Sequence, residues 1–396
     1  MLEKEGYVKI QQGHEYSILS FFSGAGFLDL GFEHSDFSIT FVNEWHEPFM
    51  RVYQYSRAKM GMDAPRFGYS CDDVNSYIGD GGRIGAMVDE LRAEGKLVGF
   101  IGGPPCPDFS VGGKNRGRNG DNGKLSQSYV TLIIENQPDF FLFENVKGLW
   151  RTARHREFYE ELKHSLHQAG YATTERLTNA LEFGAPQDRD RILLFGLRKN
   201  LLPPHANDGD SLLGFPWDNH ITEDLDVIKN LPWPERDVFS NGSTRPMPSA
   251  ITGHEALTVQ YWFEKNDVEH HPNSDRYFIP RQGLTRMKTV DEGDVSKKSY
   301  KRLHRWRYSP TVAYGNNEVH LHPYRERRLS VSEALSLQSL PAEYELPNDM
   351  TLTDSFKTIG NGVPYLLAKG IAATIRDYLD VVVDTNAIEV ADKSDK

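Results

Sequence analysis

Cysteine is scarce in this chain. Two among 396 residues exclude a disulfide framework and a cysteine-rich zinc cluster. Long apolar runs are missing as well: none approaches the roughly 20 residues needed to span a bilayer. The opening residues, MLEKEGYVKIQQGHEYS, lack the apolar stretch of a secretory signal. A reducing cytoplasm, with no membrane attachment, is the expected compartment. Positive charge is in deficit, with a net charge of −11. As a bulk property this argues against a polyanionic partner, but a phosphate-binding face needs only a local excess. Basic residues do gather, at Lys297, Lys298, Lys301, Arg302, Arg305 and Arg307, at Arg325, Arg327 and Arg328, and at Lys114, Arg116 and Arg118.

What is present is enough apolar and aromatic material for roughly two to three domains. Short apolar runs alternate with helix-like stretches over the first half. Residues 16–22, 37–42, 97–103, 139–145 and 191–197 read as buried strands. In 156–170, Phe158, Leu162, Leu166 and Ala169 share one helical face, and Gly170 stops the helix. Strands interleaved with helices predict an α/β fold: a doubly wound, mostly parallel sheet with helices on both sides. The pattern breaks near residue 199, where Pro, Asn, Asp and Gly become frequent. Residues 1–198 are therefore expected to form a first domain. Residues 199–324 form a second, smaller, irregular and β-rich domain. Residues 325–396 form a C-terminal segment in which helical periodicity returns, with a Ser330 or Ser332 cap.

The stretch SFFSGAGFLDLGF follows the first strand and opens a helix. Gly24 and Gly26 let the backbone turn tightly and approach a ligand. A dinucleotide fingerprint would want a third glycine where this chain has Asp29, so close packing on a pyrophosphate is not indicated. Glu44 lies where doubly wound folds place an acid on ribose hydroxyls. Trp45 beside it can stack on an adenine, and Asp72 can accept from the adenine amino group. The set points to an adenosine ligand without a diphosphate, and S-adenosylmethionine fits best.

Cys106 directly follows the 97–103 strand, at the end where open α/β sheets bind ligands. Pro104, Pro105 and Pro107 stiffen the turn that presents it. The next segment, VGGKNRGRNGDNGK, is rich in Gly and Asn and reads as a closing loop. A cysteine among apolar neighbours is ordinarily a small buried hydrophobe, and Cys71 is left in that class. Glu144 ends the 139–145 strand, poorly solvated after four apolar residues and so disposed to keep a proton. Such an acid can donate to a ring nitrogen. Arg189 and Arg191 open another strand on one face. The histidine pairs His320/His322 and His270/His271 complete no metal-ligand spacing, and no metal is expected.

Taken together, these residues resemble the DNA cytosine carbon-5 methyltransferase family. The matches run in order as FFSGAGF, NEW, GGPPCPDFS, ENV, QDRDR, RRLSVSEALSLQSLP and GNGVP, spanning residues 20 to 364. The resemblance implies methyl transfer from S-adenosylmethionine to cytosine carbon 5, releasing S-adenosylhomocysteine. Cys106 would add to carbon 6, Glu144 would hold ring nitrogen 3, and Arg191 would hold the carbonyl oxygen. Arg189 would orient neighbouring groups, and the Pro104 carbonyl would take the exocyclic amine. Phe22, Gly24, Gly26, Glu44, Trp45, Asp72, Pro105, Leu125, Asn361 and Val363 would line the donor pocket. Ser110, Lys114, Arg116 and Arg118 would grip double-stranded DNA, joined by Arg305 and Arg307. Residues 199–324 would be the target-recognition domain. The resemblance further implies base flipping, a monomer, and protection of host DNA beside a cognate restriction endonuclease. Two positions depart from the family pattern: Pro107 stands where Gln is usual, and Gly362 where Ser or Ala is usual. Methylation of transfer RNA, and a catalytically inactive DNA-binding regulator, stay open as alternative readings.

Overall fold

The structure, a computed structural model, describes residues 15–79, 82–105, 121–151, 153–280, 283–312 and 318–394. Its strands are β1 (Tyr16–Phe21), β2 (Ser38–Asn43), β3 (Tyr69–Ser70), β4 (Leu97–Gly102), β5 (Phe140–Val146), β6 (Tyr171–Asn179), β7 (Gln187–Asp188), β8 (Asp190–Arg198), β9 (Asn207–Asp208), β10 (Ser211–Leu212) and β11 (Ser309–Pro310). Its helices are α1 (Phe27–Glu33), α2 (Glu47–Lys59), α3 (Arg83–Ala93), α4 (Asp121–Asn136), α5 (Lys147–Arg151), α6 (Ala153–Gln168), α7 (Leu225–Asn230), α8 (Val259–Lys265), α9 (Leu284–Thr289), α10 (Val331–Leu337), α11 (Leu352–Asn361) and α12 (Tyr365–Ser394).

Among the described residues the main sheet has nine strands in the order β3-β2-β1-β4-β5-β8-β6-β10-β9. Strands β3 through β5 are parallel, as the alternation of strand and helix predicts. Strand β8 runs antiparallel to both β5 and β6. The sheet is mostly parallel, as expected, with β10 again parallel to β6 and only β8 and the edge strand β9 running against their neighbours. Strand β6 escapes the sequence reading because its centre, Thr173 to Arg176, is polar.

Alternation along each strand builds two cores. Ile18, Leu142, Leu193 and Phe195 face one side and pack under α1 and α12, through Phe32, Leu367, Ile371 and Ile375. Leu19, Phe21, Phe100, Phe141 and Phe143 face the other and meet α3, α4 and α6, through Val88, Ile133 and Leu162. Helix α10 starts on a capping box in which Ser330 and Glu333 satisfy each other's backbone N–H.

Residues 203–215 stay with the sheet rather than leaving it: β9 and β10 extend its edge, and Leu202, Ala206, Leu212 and Phe215 join the first core. Beyond them regular structure is sparse. The described β content there is β11, paired with β7, and the isolated bridges Asp237–Glu292, Arg302–Leu321 and Leu321–Arg328. Buried Arg302 takes the place of a sheet ladder. It donates to the carbonyls of Val290, His322, Arg325 and Met287 and stacks on Phe239. Among the described residues no helix is long and apolar enough to cross a membrane, and no cluster of His, Cys, Asp or Glu is arranged for a metal.

Candidate active site

The parallel strands β1, β2, β4 and β5 all end at one edge of the sheet, and their following loops carry the sequence motifs. After β1, Phe22 takes a left-handed φ of 54°, a conformation uncommon for a bulky residue and characteristic of functional sites. Its ring meets Tyr129 edge-on. Residues 23–26 then form a turn closed by the Gly26 N–H on the Ser23 carbonyl, 2.8 Å. Gly24 has φ 58° and would meet nothing within 4 Å if it carried a Cβ, so its free side opens to the mouth.

Glu44, at the end of β2, is fixed from two sides. Gly24 N–H donates to its Oε2 and His46 N–H to its Oε1, both at 2.8 Å. Burial pushes its carboxyl up, while these two N–H bonds and Lys357 oppose the rise. Trp45 beside it is 72 % exposed, an indole face with no cover. Asp72 is exposed, and its Oδ2 accepts from Ser70 at 2.7 Å and from Arg83 at 3.0 Å. Those bonds hold its carboxyl below the usual range, leaving an ionised acceptor for an amino group. The open Gly24 face, the aligned acid and the bare indole fit an adenosine. Leu125 is half-buried against the second core. Asn361 is exposed at the end of α11, and Val363 is buried in the first core. Pro105 is exposed. Cys106, Ser110, Lys114, Arg116 and Arg118 lie outside the described residues.

At the end of β4 the chain passes close to β5. A Cβ on Gly103 would sit 2.6 Å from Glu144 Oε2, so a larger residue here would displace the carboxyl. Glu144 and Arg191 are diagonal neighbours on the antiparallel β5–β8 pair, two residues off register, with Nε and Oε1 2.6 Å apart and both side chains 10 % exposed. The pair is close but not in hydrogen-bond geometry, and Glu144 Oε1 has no aligned donor. A carboxyl is thus buried beside a cation with its directed valence unused. Neither arginine pairs with its neighbouring acid. Asp188 is held by Lys229 and Asp190 by Lys147. Arg191 Nη1 donates to the Asp190 carbonyl at 2.8 Å. Buried Arg189 donates to the Gly360 carbonyl at 2.8 Å, tying β8 to the residue before Asn361.

Asn145 is a site residue to which the sequence reading assigned no role. Its amide donates to the Pro104 carbonyl at 3.4 Å, and its Oδ1 accepts from Val146 N–H at 2.8 Å. The signal was its place directly after Glu144 on a strand whose side chains alternate. Away from this edge, Arg305 is buried and bidentate on Glu292, at 2.7 and 2.9 Å. Its guanidinium is spent, and the geometry gives no support to a direct DNA contact there. Arg307 is half-buried over the Tyr308 ring.

The pattern of the C-5 cytosine-specific DNA methylase family matches residues 16–377. The chain is 55 % identical over 372 residues to a Type II methyltransferase, M.NmeDI, of Neisseria meningitidis serogroup C, covering 93 % of this chain and 86 % of that one. It is 29 % identical to Type II methyltransferase M.FnuDI of Fusobacterium nucleatum, covering 91 % and 95 %. Its fold is similar to the crystal structure of a Spodoptera frugiperda DNMT2 triple mutant, with TM-score 0.54 and 15 % identity over 91 % of this chain and 99 % of that one.

Proposed function

The chain belongs to the C-5 cytosine-specific DNA methylase family, and on that premise we propose that it methylates a flipped-out cytosine in duplex DNA through a covalent cysteine adduct. It is a DNA methyltransferase of the Type II kind. The observation that carries the finer reading is the Glu144–Arg191 pair beside the Pro104 carbonyl. An acid, a cation and a carbonyl acceptor converge where the strands β4 and β5 end.

A cytosine ring offers complementary groups in the same order. Its ring nitrogen 3 meets Glu144, its carbonyl oxygen meets Arg191, and its exocyclic amine meets the Pro104 carbonyl. Uracil has a carbonyl in place of that amine and would oppose oxygen to oxygen. Carbon 5 of cytosine is a weak nucleophile until sulfur adds at carbon 6. Cys106 supplies the sulfur as thiolate, which at an ordinary thiol pKa is the minor form at neutral pH. Glu144 and the shared proton at nitrogen 3 take up the charge pushed into the ring, while Arg191 stabilises the oxygen. Bound S-adenosylmethionine supplies an electrophilic methyl group, and Glu44, Trp45 and Asp72 would hold its adenosine. Loss of the carbon-5 proton then expels Cys106 and restores the aromatic ring. None of these atoms is reachable in a stacked duplex, so the base is extruded, at a cost of a few kcal/mol.

The part of residues 199–324 that lies beyond the β9–β10 edge carries target recognition in the major groove. The enzyme acts as a monomer in the cytoplasm and protects host DNA beside a cognate endonuclease. The test is incubation with labelled methyl donor and duplex DNA in which the target cytosine carries fluorine at carbon 5. Fluorine cannot leave as a proton does, so a denaturation-resistant protein–DNA adduct at Cys106 is expected. Methyl transfer with no adduct would refute the covalent route, and transfer to RNA alone would refute the DNA reading.

A further inference from the structure

Beneath the glycine turn lies a charged group that the chemistry above does not use. Arg57, on α2, is 1 % exposed. Its Nη2 donates to the Gly26 carbonyl at 2.7 Å, its Nη1 to the Ala25 carbonyl at 3.4 Å, and its Nε and Nη2 to Glu33 Oε2 at 3.2 and 2.8 Å. The guanidinium stacks over Tyr53 at 4.2 Å. The Ala25 carbonyl also accepts from the Tyr344 hydroxyl at 2.6 Å.

Burying an arginine is costly unless its donors are met, and an apolar side chain would fill the same volume without that cost. Here Glu33 balances the charge, and two of the bonds go to consecutive carbonyls of one turn. That turn contains two glycines with positive φ, Gly24 at 58° and Gly26 at 78°, and glycine backbones are otherwise free to relax. On its outer side the turn is fastened by the Gly24 N–H on Glu44. On its inner side it is fastened by Arg57. A trans peptide points its C=O and the following N–H in opposite directions. Drawing the Gly26 carbonyl toward Arg57 therefore turns the Phe27 N–H the other way. The Tyr53 ring completes the clamp from below, since a Cβ on Gly26 would meet its Cε2 at 2.3 Å.

We propose that Arg57 is a positioning residue for methyl-donor binding: it holds the Ser23–Gly26 turn in the conformation that receives the donor, without touching the donor itself. The inference rests on the donor reading given above. Its consequence is specific. Loosening the clamp weakens donor affinity and leaves the chemical step intact once donor is saturating.

The experiment uses the full chain. S-adenosylhomocysteine is titrated calorimetrically into wild type, R57K, R57M and Y344F, each checked for fold by circular dichroism. Donor KM and kcat on duplex DNA are measured beside amide exchange of residues 23–27 without ligand. R57M is expected to weaken binding about tenfold or more, since two charge-assisted bonds to the turn are lost. R57K, a single point charge, falls between wild type and R57M. Y344F, which removes one bond to Ala25, weakens binding by about two- to fourfold. In all three, KM rises while kcat stays within about threefold, and exchange at 23–27 quickens. Folded R57M that binds within about twofold of wild type overturns the proposal. Should R57M not fold, R57K and Y344F decide: unchanged affinity in both overturns it equally. If wild type binds no S-adenosylhomocysteine, the donor reading fails, and the exchange rates alone judge the clamp.

Discussion

A methyl group on Gly362 would lie 2.1 Å from Cδ2 of Phe27. Phe27 is the first residue of α1, and its ring packs T-shaped on Tyr344 at 5.2 Å. This explains why the last motif carries glycine where Ser or Ala is usual in the family. The φ of Gly362 is −61°, which any residue can adopt, so the constraint is space and not backbone freedom. G362A is therefore expected to destabilise by about 1–3 kcal/mol, the usual cost of overpacking. Trimming the ring in F27L/G362A should restore part of the loss. Urea unfolding of the two variants against wild type checks both statements.

The Glu144–Arg191 pair predicts opposite outcomes for its two halves. E144Q keeps the shape and an N–H donor for ring nitrogen 3 but cannot pass a proton to it. A fall in kcat of roughly 10²–10⁴, typical of a lost general acid, is expected with little change in stability. R191M instead leaves a carboxylate in a site where its side chain is only 10 % exposed. Removing one partner of a buried pair costs about 3–5 kcal/mol, so this variant should lose stability as well as activity. Chemical denaturation alongside single-turnover rates separates them. Equal stability loss in both would show that the pair is a brace rather than a site.

The pattern of short apolar runs located β1, β2, β4, β5 and β8 to within a residue or two, because each has both faces buried and so reads as a continuous hydrophobic stretch. Strand β6 hid for the converse reason. Its middle residues are only half-buried, and Thr174 accepts a hydrogen bond from Trp217, 43 positions away. The antiparallel course of β8 was equally illegible, since direction is a property of the connection. Local motifs named Glu44, Glu144 and Arg191, whose neighbours in sequence reveal their place at strand ends. Arg57 offered no such signal. It sits within an ordinary helix, and its carbonyl partners lie 31 and 32 positions earlier.

Arg305 illustrates how a basic cluster misleads. Lys297 to Arg307 reads as one cationic stretch, yet Arg305 is buried on Glu292 and the Ser243 carbonyl. R305M is expected to lower stability by about 3–5 kcal/mol through the orphaned Glu292. R307A should leave stability within about 0.5 kcal/mol. If Arg307 contacts a phosphate, R307A also reduces the salt dependence of DNA affinity by about one ion. Thermal unfolding and a salt series of DNA titrations make the distinction. A stable R305M that binds DNA weakly would return Arg305 to the interface.

Asp29 gives the pH dependence. Its side chain is fully buried in the first turn of α1, where Oδ1 accepts from Ser20 at 2.9 Å. Tyr53 stands close without hydrogen-bond geometry, and Oδ2 has no aligned partner. Burial raises its carboxyl from the ordinary 3.8 to about 7, with Arg57 opposing and Glu33 adding to the rise. The sign follows from proton counts. Between about pH 4 and pH 7 the folded chain keeps a proton that the unfolded chain has released. The folded state is therefore favoured at the acid end and loses that advantage as pH climbs through the interval. Above pH 7 both states are ionised and the difference is constant. A shift of this size corresponds to at most roughly 4 kcal/mol. D29N holds the Ser20 bond and carries no charge. Its stability relative to wild type should thus rise steadily from pH 4 to pH 7 and level off beyond. Urea unfolding at matched pH values reads this difference directly. A flat difference across the interval would mean that Asp29 is ionised in the fold throughout, with Arg57 outweighing the burial.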